Sequence, residues 1–229
     1  YIRGVAFRGN ELWEATTPTL IKRNLITGEI EAEFKVPGIN PSSPWTIDGF
    51  GGIAIDPKGD LWLALGKGGI ARFDGNNQWR IWSVPVMPSF PKEGYFIKVG
   101  IEASTGYVWA FGRTVQTTYC YFYNGQDWVE EASLRNIPLR DMVNGPNGTF
   151  VLCSSDTVLL HKNNAWVGIP EPKENFTNYI GNPVFDAQGR LWLTTFETRL
   201  YRYDDLSALP KYVTTCADEI QDMTFDNTG

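Results

Sequence analysis

The chain has 229 residues, of which 42% are hydrophobic, 20% charged and 14% aromatic, a composition ordinary for one globular domain with a large core. Its net charge of −6 and scattered basic residues argue against a nucleic-acid partner, because phosphate binding depends on clustered Lys and Arg. No apolar run approaches the roughly 18 residues that a membrane-spanning helix needs, so we expect no membrane contact from this segment. We also expect no signal peptide in this segment, since none begins at Tyr1.

A turn motif recurs along the chain. Its glycine stands at positions separated by 40 to 47 residues, and a tight turn between strands often needs a residue that tolerates positive φ. These glycines are Gly59, Gly106, Gly148, Gly189 and Gly229, and an earlier copy has Asn10 in their place. Three residues beyond each of the first five turns stands Trp13, Trp62, Trp109, Val151 or Trp192. We expect the four Trp side chains to pack between blades, since a period near 40 is typical of propeller blades.

Each period divides into four short strands. In the second repeat, alternating apolar residues predict strands over 52–56, 61–65, 69–73 and 79–84, with Gly, Asn and Asp clusters marking the turns. Four antiparallel strands per period predict an all-β fold, a β-propeller formed as one domain over 1–229. Five complete blades are expected at about 1–38, 50–86, 96–131, 138–170 and 180–216.

The final segment, 220–229, has the pattern of the first strand of a sixth blade. Two interpretations are open: the chain is a piece of a longer propeller, or a five-bladed ring carries a spare strand that pairs where the ring closes. We favour the first, because natural proteins normally cover an unpaired strand edge. If that edge is uncovered, we expect it to support a dimer through the terminal strand.

The cysteines predict neither a metal site nor a disulfide framework. Cys120, Cys153 and Cys216 fall in three different repeats without C-x-x-C spacing. Each is interpreted as a small hydrophobic residue of the interior.

The run from Gly52 to Asp74, GIAIDPKGDLWLALGKGGIARFD, resembles the two-component regulator propeller repeat, and the run from Pro183 to Asp204 matches it nearly as well. The resemblance covers the whole chain through these two strong copies and three weaker ones. It implies a non-catalytic ligand-binding or sensing module, placed outside the cell or in the periplasm and belonging to a bacterial signalling or surface protein. Its ligand would be a small molecule, a saccharide or a protein partner.

The run from Leu20 to Pro37 resembles the blades of virginiamycin B lyase and, more distantly, of gluconolactonase-like propellers. That resemblance implies the alternative function, a metal-dependent lyase or lactonase-like enzyme with a catalytic histidine. The single histidine, His161, aligns with Phe73 and Tyr123, where the repeat uses an aromatic residue for packing, so we expect a structural role and tolerance of a Phe substitution.

Carboxylates and amides would then have to hold the metal of such an enzyme. Oxygen ligands expected near the channel end of the first strands are Asp48, Glu102, Asp141, Asn182 and Asp222. Asp141 and Asp222 recur at matching repeat positions, which favours a structural role. We therefore predict no catalytic residue, no metal and no cofactor.

Long loops on either side of the second predicted blade, over 37–50 and 85–96, and a third over 170–180 suggest a binding face, since function concentrates on loops held by a rigid scaffold. Strand alternation places the connections between blades on the same face as the turns between second and third strands, over 66–69, 112–117 and 196–198. The predicted ligand-binding residues of this face are Trp45, Phe50, Phe90, Tyr95, Arg113 and Arg199. Alternatively, the aromatic residues of these loops fold down onto the core.

Overall fold

A computed structural model describes residues 2–37, 39, 51–84, 87, 89–171, 180–195, 198–216 and 223. It contains five four-stranded antiparallel sheets, and in each the strands lie side by side in chain order. These are the five complete propeller blades predicted from the repeat. Across the described residues, no helix is long and apolar enough to cross a membrane.

The strands of the blades are short. In blade one they are β1 (Ile2–Arg8), β2 (Glu11–Thr16), β3 (Thr19–Asn24) and β4 (Ile30–Lys35). In blade two they are β5 (Gly52–Ile55), β6 (Leu61–Ala64), β7 (Ile70–Phe73) and β8 (Trp79–Trp82). In blade three they are β9 (Tyr95–Ile101), β10 (Val108–Arg113), β11 (Thr118–Tyr123) and β12 (Trp128–Glu130).

The last two blades follow the same order. Blade four consists of β13 (Leu139–Asn144), β14 (Phe150–Ser154), β15 (Val158–Lys162) and β16 (Ala165–Gly168). Blade five consists of β17 (Ile180–Phe185), β18 (Leu191–Thr195), β19 (Arg199–Tyr203) and β20 (Lys211–Thr215). Two single-turn 3-10 helices, Ala132–Leu134 and Pro146–Gly148, lie in connections.

The blades group into two compact units. The first comprises residues 1–101 and 106–136, and the second comprises 102–105 and 137–229. In the first unit, aromatic rings join neighbouring blades: Trp13 makes an edge contact with Phe73 at 6.0 Å, and Trp62 makes one with Trp128 at 6.2 Å. In the second unit, the core is aliphatic and phenolic, with Val151, Leu193 and Tyr203 buried together.

The repeated Trp residues differ in burial. Trp13, Trp62 and Trp109 are at most 2% exposed, as expected for side chains packed in the core. Trp192 is only half-buried, and the guanidinium groups of Arg190 and Arg202 lie 5.9 and 5.4 Å from its ring.

The structure explains the Asp that stands three residues before the turn glycine in blades two and five. In blade two, Asp56 Oδ1 accepts the backbone N–H groups of Lys58 and Asp60 at 2.9 and 3.0 Å, and Oδ2 accepts Trp62 Nε1 at 3.0 Å. Gly59, inside this turn, has φ +89°, a conformation that favours glycine. Asp186 makes the same contacts in blade five, including one to the Trp192 indole at 2.7 Å. In both blades one carboxylate therefore closes the turn and orients the repeated Trp.

The segment 220–229 lies outside the described residues except for Met223, so its assignment as a first strand stays a prediction. The cysteines that lie in strands behave as expected. Cys120 and Cys153 are buried and free, and burial raises the pKa of both thiols. Cys216 is free and half-buried.

Candidate functional site

Three segments of the first unit meet at one end of its blades. An isolated bridge joins Gly66, in the turn that follows β6, to Phe96 near the start of β9, and Phe96 N–H donates to Gly66 O at 3.0 Å. The start of β9 also pairs with the end of β10, where Tyr95 stands opposite Arg113. Tyr95, the 66–69 turn and the 112–117 turn therefore share one edge of this unit, as strand alternation predicts. We call this edge the rim.

Tyr95 and Arg113 form a direct pair on the rim. Arg113 Nε donates to the Tyr95 hydroxyl at 2.7 Å, and the guanidinium carbon lies 5.6 Å from the Tyr95 ring centroid. Both residues are half-buried. The contact uses one of the five N–H donors of Arg113, and the terminal N–H groups have no partner among the described residues. Arginine therefore presents a planar donor fork at this edge, with its position set by Tyr95.

Phe90 packs beneath this pair rather than projecting from it. It is 7% exposed, stacks on Phe96 with centroids 4.5 Å apart and meets Tyr119 edge-on at 5.3 Å. Gly94 and Gly112 leave room for its ring, since a Cβ on either would lie under 3.0 Å from it. Phe90 thus holds the preceding loop on the blade, as expected if the loops fold onto the core. A ligand contact by Phe90 stays a prediction.

The other predicted site residues are not brought to this edge by any described contact. Trp45 and Phe50 lie outside the described residues, as does most of the 196–198 turn. Arg199 begins β19 in the second unit, where it pairs in register with Thr215. The structure therefore groups three of the six predicted residues: Phe90, Tyr95 and Arg113.

Two residues near Phe90 were missed by the sequence prediction. Tyr119 lies on β11, and the Arg135 guanidinium lies 5.5 Å from its ring. Arg135 is held by Glu130, which accepts from Nε and Nη2 at 2.7 Å each and raises the pKa of Arg135. Alternation along β11 could have indicated Tyr119, but no local pattern links Arg135 to it.

A second polar cluster lies in the second unit. His161 Nδ1 donates to Glu102 Oε1 at 2.6 Å, and the imidazole stacks on Trp166 at 4.6 Å. Ser104 and Thr105 donate their hydroxyls to the same carboxylate at 3.2 and 2.8 Å. The side chains of His161 and Glu102 are only 10% and 3% exposed. This pair is enclosed, and its geometry is that of a buried hydrogen-bond network.

The register confirms the position of His161 and corrects that of Glu102. His161 stands opposite Phe150 and Trp166, the place that Phe73 holds opposite Leu61 and Trp79 in blade two. Glu102 directly follows the last residue of β9, whereas Asp141 and Asn182 are the third residues of their strands. Glu102 therefore lies past the end of its strand, whereas Asp141 and Asn182 lie near the start of theirs, and the three do not share one end of the first strands.

Asp48 and Asp222 lie outside the described residues. Among the residues that the structure places, no three His, Cys, Asp or Glu side chains are grouped closely enough to hold a metal ion.

No family model matches the sequence, and no curated protein matches it. Solved structures do resemble it. The extracellular domain of a hybrid two-component system from B. thetaiotaomicron has a TM-score of 0.67 and 17% identity, covering 96% of this chain and 30% of that one. A second such domain from the same organism has a TM-score of 0.63 and 15% identity, covering 85% of this chain and 26% of that one.

A catalytically inactive virginiamycin B lyase from Staphylococcus aureus, solved with quinupristin, has a TM-score of 0.72 and 10% identity, covering 95% of this chain and 71% of that one. Both groups that the sequence resembles are therefore among its structural neighbours. At these identities the likeness shows the propeller fold. The chain spans less than a third of the length of the two-component domains that it matches.

Proposed function

We propose that this chain is a non-catalytic ligand-binding or sensing propeller module, part of a bacterial signalling or surface protein and located outside the cell or in the periplasm. The rim carries the proposal, because Tyr95 fixes an arginine whose terminal N–H groups point to no partner in the described part of the chain. The likeness to extracellular domains of two-component systems supports the proposed location and the proposed link to signalling.

The chemistry of the rim defines the ligand class. A guanidinium fork binds carboxylates bidentately and donates to sugar hydroxyls. The Tyr95 hydroxyl, which accepts from Arg113, keeps its own proton to donate. A ligand with a carboxylate or several hydroxyls fits this pair, whether it is a small molecule, a saccharide or an acidic side chain of a protein partner.

Binding is tested by screening the purified chain on a glycan array and measuring each hit by calorimetry. Arg113→Gln should weaken binding about ten-fold or more, since a hydrogen bond to a charged group contributes about 1.5–3 kcal/mol. Tyr95→Phe should weaken it less, because the ring remains. Gln126→Ala is the matched control, as Gln126 lies in the turn at the opposite end of β11.

Unchanged affinity for Arg113→Gln, or an equal loss for Gln126→Ala, would refute the rim as the binding site. Either result would move the search to other surfaces of the blades.

The alternative function, a metal-dependent lyase or lactonase-like enzyme, has one observation in its favour, the His161–Glu102 pair. Its enclosure by Trp166 and the low exposure of both side chains argue for a structural role. Incubation with quinupristin and Mg²⁺, followed by mass spectrometry, tests this alternative. Product formation that is lost in His161→Gln would establish it over the binding module.

A further inference from the structure

Two arginines stand directly opposite each other on the outer strands of blade two. Arg72 on β7 and Arg80 on β8 are register partners, so their side chains leave the same face of the sheet. Like charges in this arrangement are unfavourable unless something neutralises them. The contacts of each guanidinium therefore show whether its charge is neutralised.

Only one of the two is neutralised. Arg72 Nε donates to Asp60 Oδ2 at 2.7 Å, and Nη2 donates to the same oxygen. Arg80 lies 4.5 Å from the ring centroid of Trp82, and no carboxylate of the described residues contacts it. The ring stacks against the guanidinium group of Arg80, and the residue is exposed to solvent.

Blade five shows how the same position is neutralised elsewhere in the chain. There the register partners are Arg202 and Lys211, and Asp204 bridges them at 2.7 and 2.5 Å. The equivalent of Asp204 in blade two is Asp74, whose Oδ1 instead accepts the backbone N–H groups of Asn76 and Gln78 at 2.7 and 3.1 Å. Asp74 closes its turn, and among the described residues no carboxylate forms an ion pair with Arg80.

These side chains line an open cleft of about 300 Å³, at the small end of the range for ligand sites. The lining residues are Arg72, Asp74, Gln78, Trp79 and Arg80. The cleft lies at the end of β7 opposite to the 66–69 turn, so it is distinct from the rim.

We propose that this cleft binds a small monocarboxylate that carries hydroxyl groups. Arg80 supplies the donor fork for the carboxylate, and the Gln78 amide supplies a donor and an acceptor for hydroxyls. A single unneutralised guanidinium favours one negative charge. Asp74, which also lines the cleft, disfavours a dianion such as a phosphate ester.

Three matched probes test the charge preference by calorimetry in low salt. Glucuronate carries one negative charge, glucose carries none, and glucose 6-phosphate carries about two. Glucuronate should bind more tightly than either of the others. Arg80→Gln should weaken glucuronate binding at least ten-fold. Because Arg80 is exposed, the variant should retain the parent's melting temperature, which a thermal scan confirms before binding is measured.

A matched control separates this cleft from other basic positions. Lys211→Gln, at the equivalent place in blade five, should leave glucuronate affinity unchanged. Absence of glucuronate binding, insensitivity to Arg80→Gln, tighter binding of glucose 6-phosphate, or an equal loss in the control would overturn the proposal. Arg113→Gln separates the cleft from the rim, because a loss of affinity in that variant without a loss in Arg80→Gln would place glucuronate on the rim and overturn the cleft.

Discussion

His161 combines the packing role of its repeat position with a hydrogen bond to a buried carboxylate. His161 occupies the position where other blades have Phe73 or Tyr123, and it stacks on Trp166 as an aromatic residue would. Its Nδ1 also donates to Glu102, whose side chain is 3% exposed. A buried carboxylate without donors is costly, so the imidazole is needed for more than its ring.

This contact changes the expectation for His161→Phe. The sequence alone predicts tolerance, but the structure predicts a loss of about 1–3 kcal/mol in the free energy of unfolding, since the buried Glu102 carboxylate loses its imidazole donor. Urea denaturation measures the loss. The double variant His161→Phe with Glu102→Gln should recover part of it, because the buried group is then neutral. Parent-like stability of the single variant would show that the pair contributes nothing.

At the scale of the strands, the Leu-Trp pair that follows the turns of blades two and five stands at the same repeat position but has different surroundings. Trp62 on β6 is 2% exposed, stacks on Trp82 at 5.3 Å and contacts Trp128 of the next blade. Trp192 on β18 is half-buried under two arginines. The turn carboxylate binds both indoles, so burial is the main difference between the two sites.

Matched substitutions should reveal that difference. Trp62→Ala should lower the free energy of unfolding by about 3–5 kcal/mol, the usual cost of removing a fully buried large aromatic side chain. Trp192→Ala should cost roughly half as much, since less apolar surface leaves water there on folding. Chemical denaturation of the two variants gives the comparison. Equal losses would mean that Trp192 is as deeply packed as Trp62.

At the scale of the whole molecule, hydrogen bonds from basic neighbours lower the pKa of carboxylates in both units. Burial alone would raise the pKa of Glu11, but hydrogen bonds from Lys22, Arg8 and Trp13 lower it to about 2. Hydrogen bonds from Lys211 and Arg202 lower the pKa of Asp204, which is also about 2. A carboxylate whose pKa is lower in the folded state adds stability above its unfolded pKa and loses it as pH falls toward the folded value.

The stability of the chain should therefore be level above about pH 4.5 and fall between that value and about pH 2, the unfolded and folded pKa of Glu11. Glu11→Gln should lower the melting temperature at pH 7 by about 2–4 °C, because partly exposed ion pairs contribute up to about 1 kcal/mol. At pH 2 the variant and the parent should converge. Thermal scans over this pH range test it, and a constant difference down to pH 2 would contradict the linkage.

The sequence by itself determined the blades, because their causes are local. Gly59 permits the positive φ of its turn, Asp56 caps that turn three residues earlier, and Leu61 and Trp62 begin the next strand at a constant offset. Strand alternation then placed Tyr95 and the 112–117 turn at one edge, since two antiparallel reversals restore the original face.

Only the tertiary structure decided which side chains meet across that scaffold. The burial of Phe90 against Phe96, the pairing of Arg113 with Tyr95, and the contact of Glu102 with His161, 59 positions away, depend on loop paths and side-chain rotamers. The unneutralised Arg80 likewise became visible only through the contacts of Asp74. A repeat pattern specifies backbone periodicity, whereas a site depends on non-local distances, which no single repeat encodes.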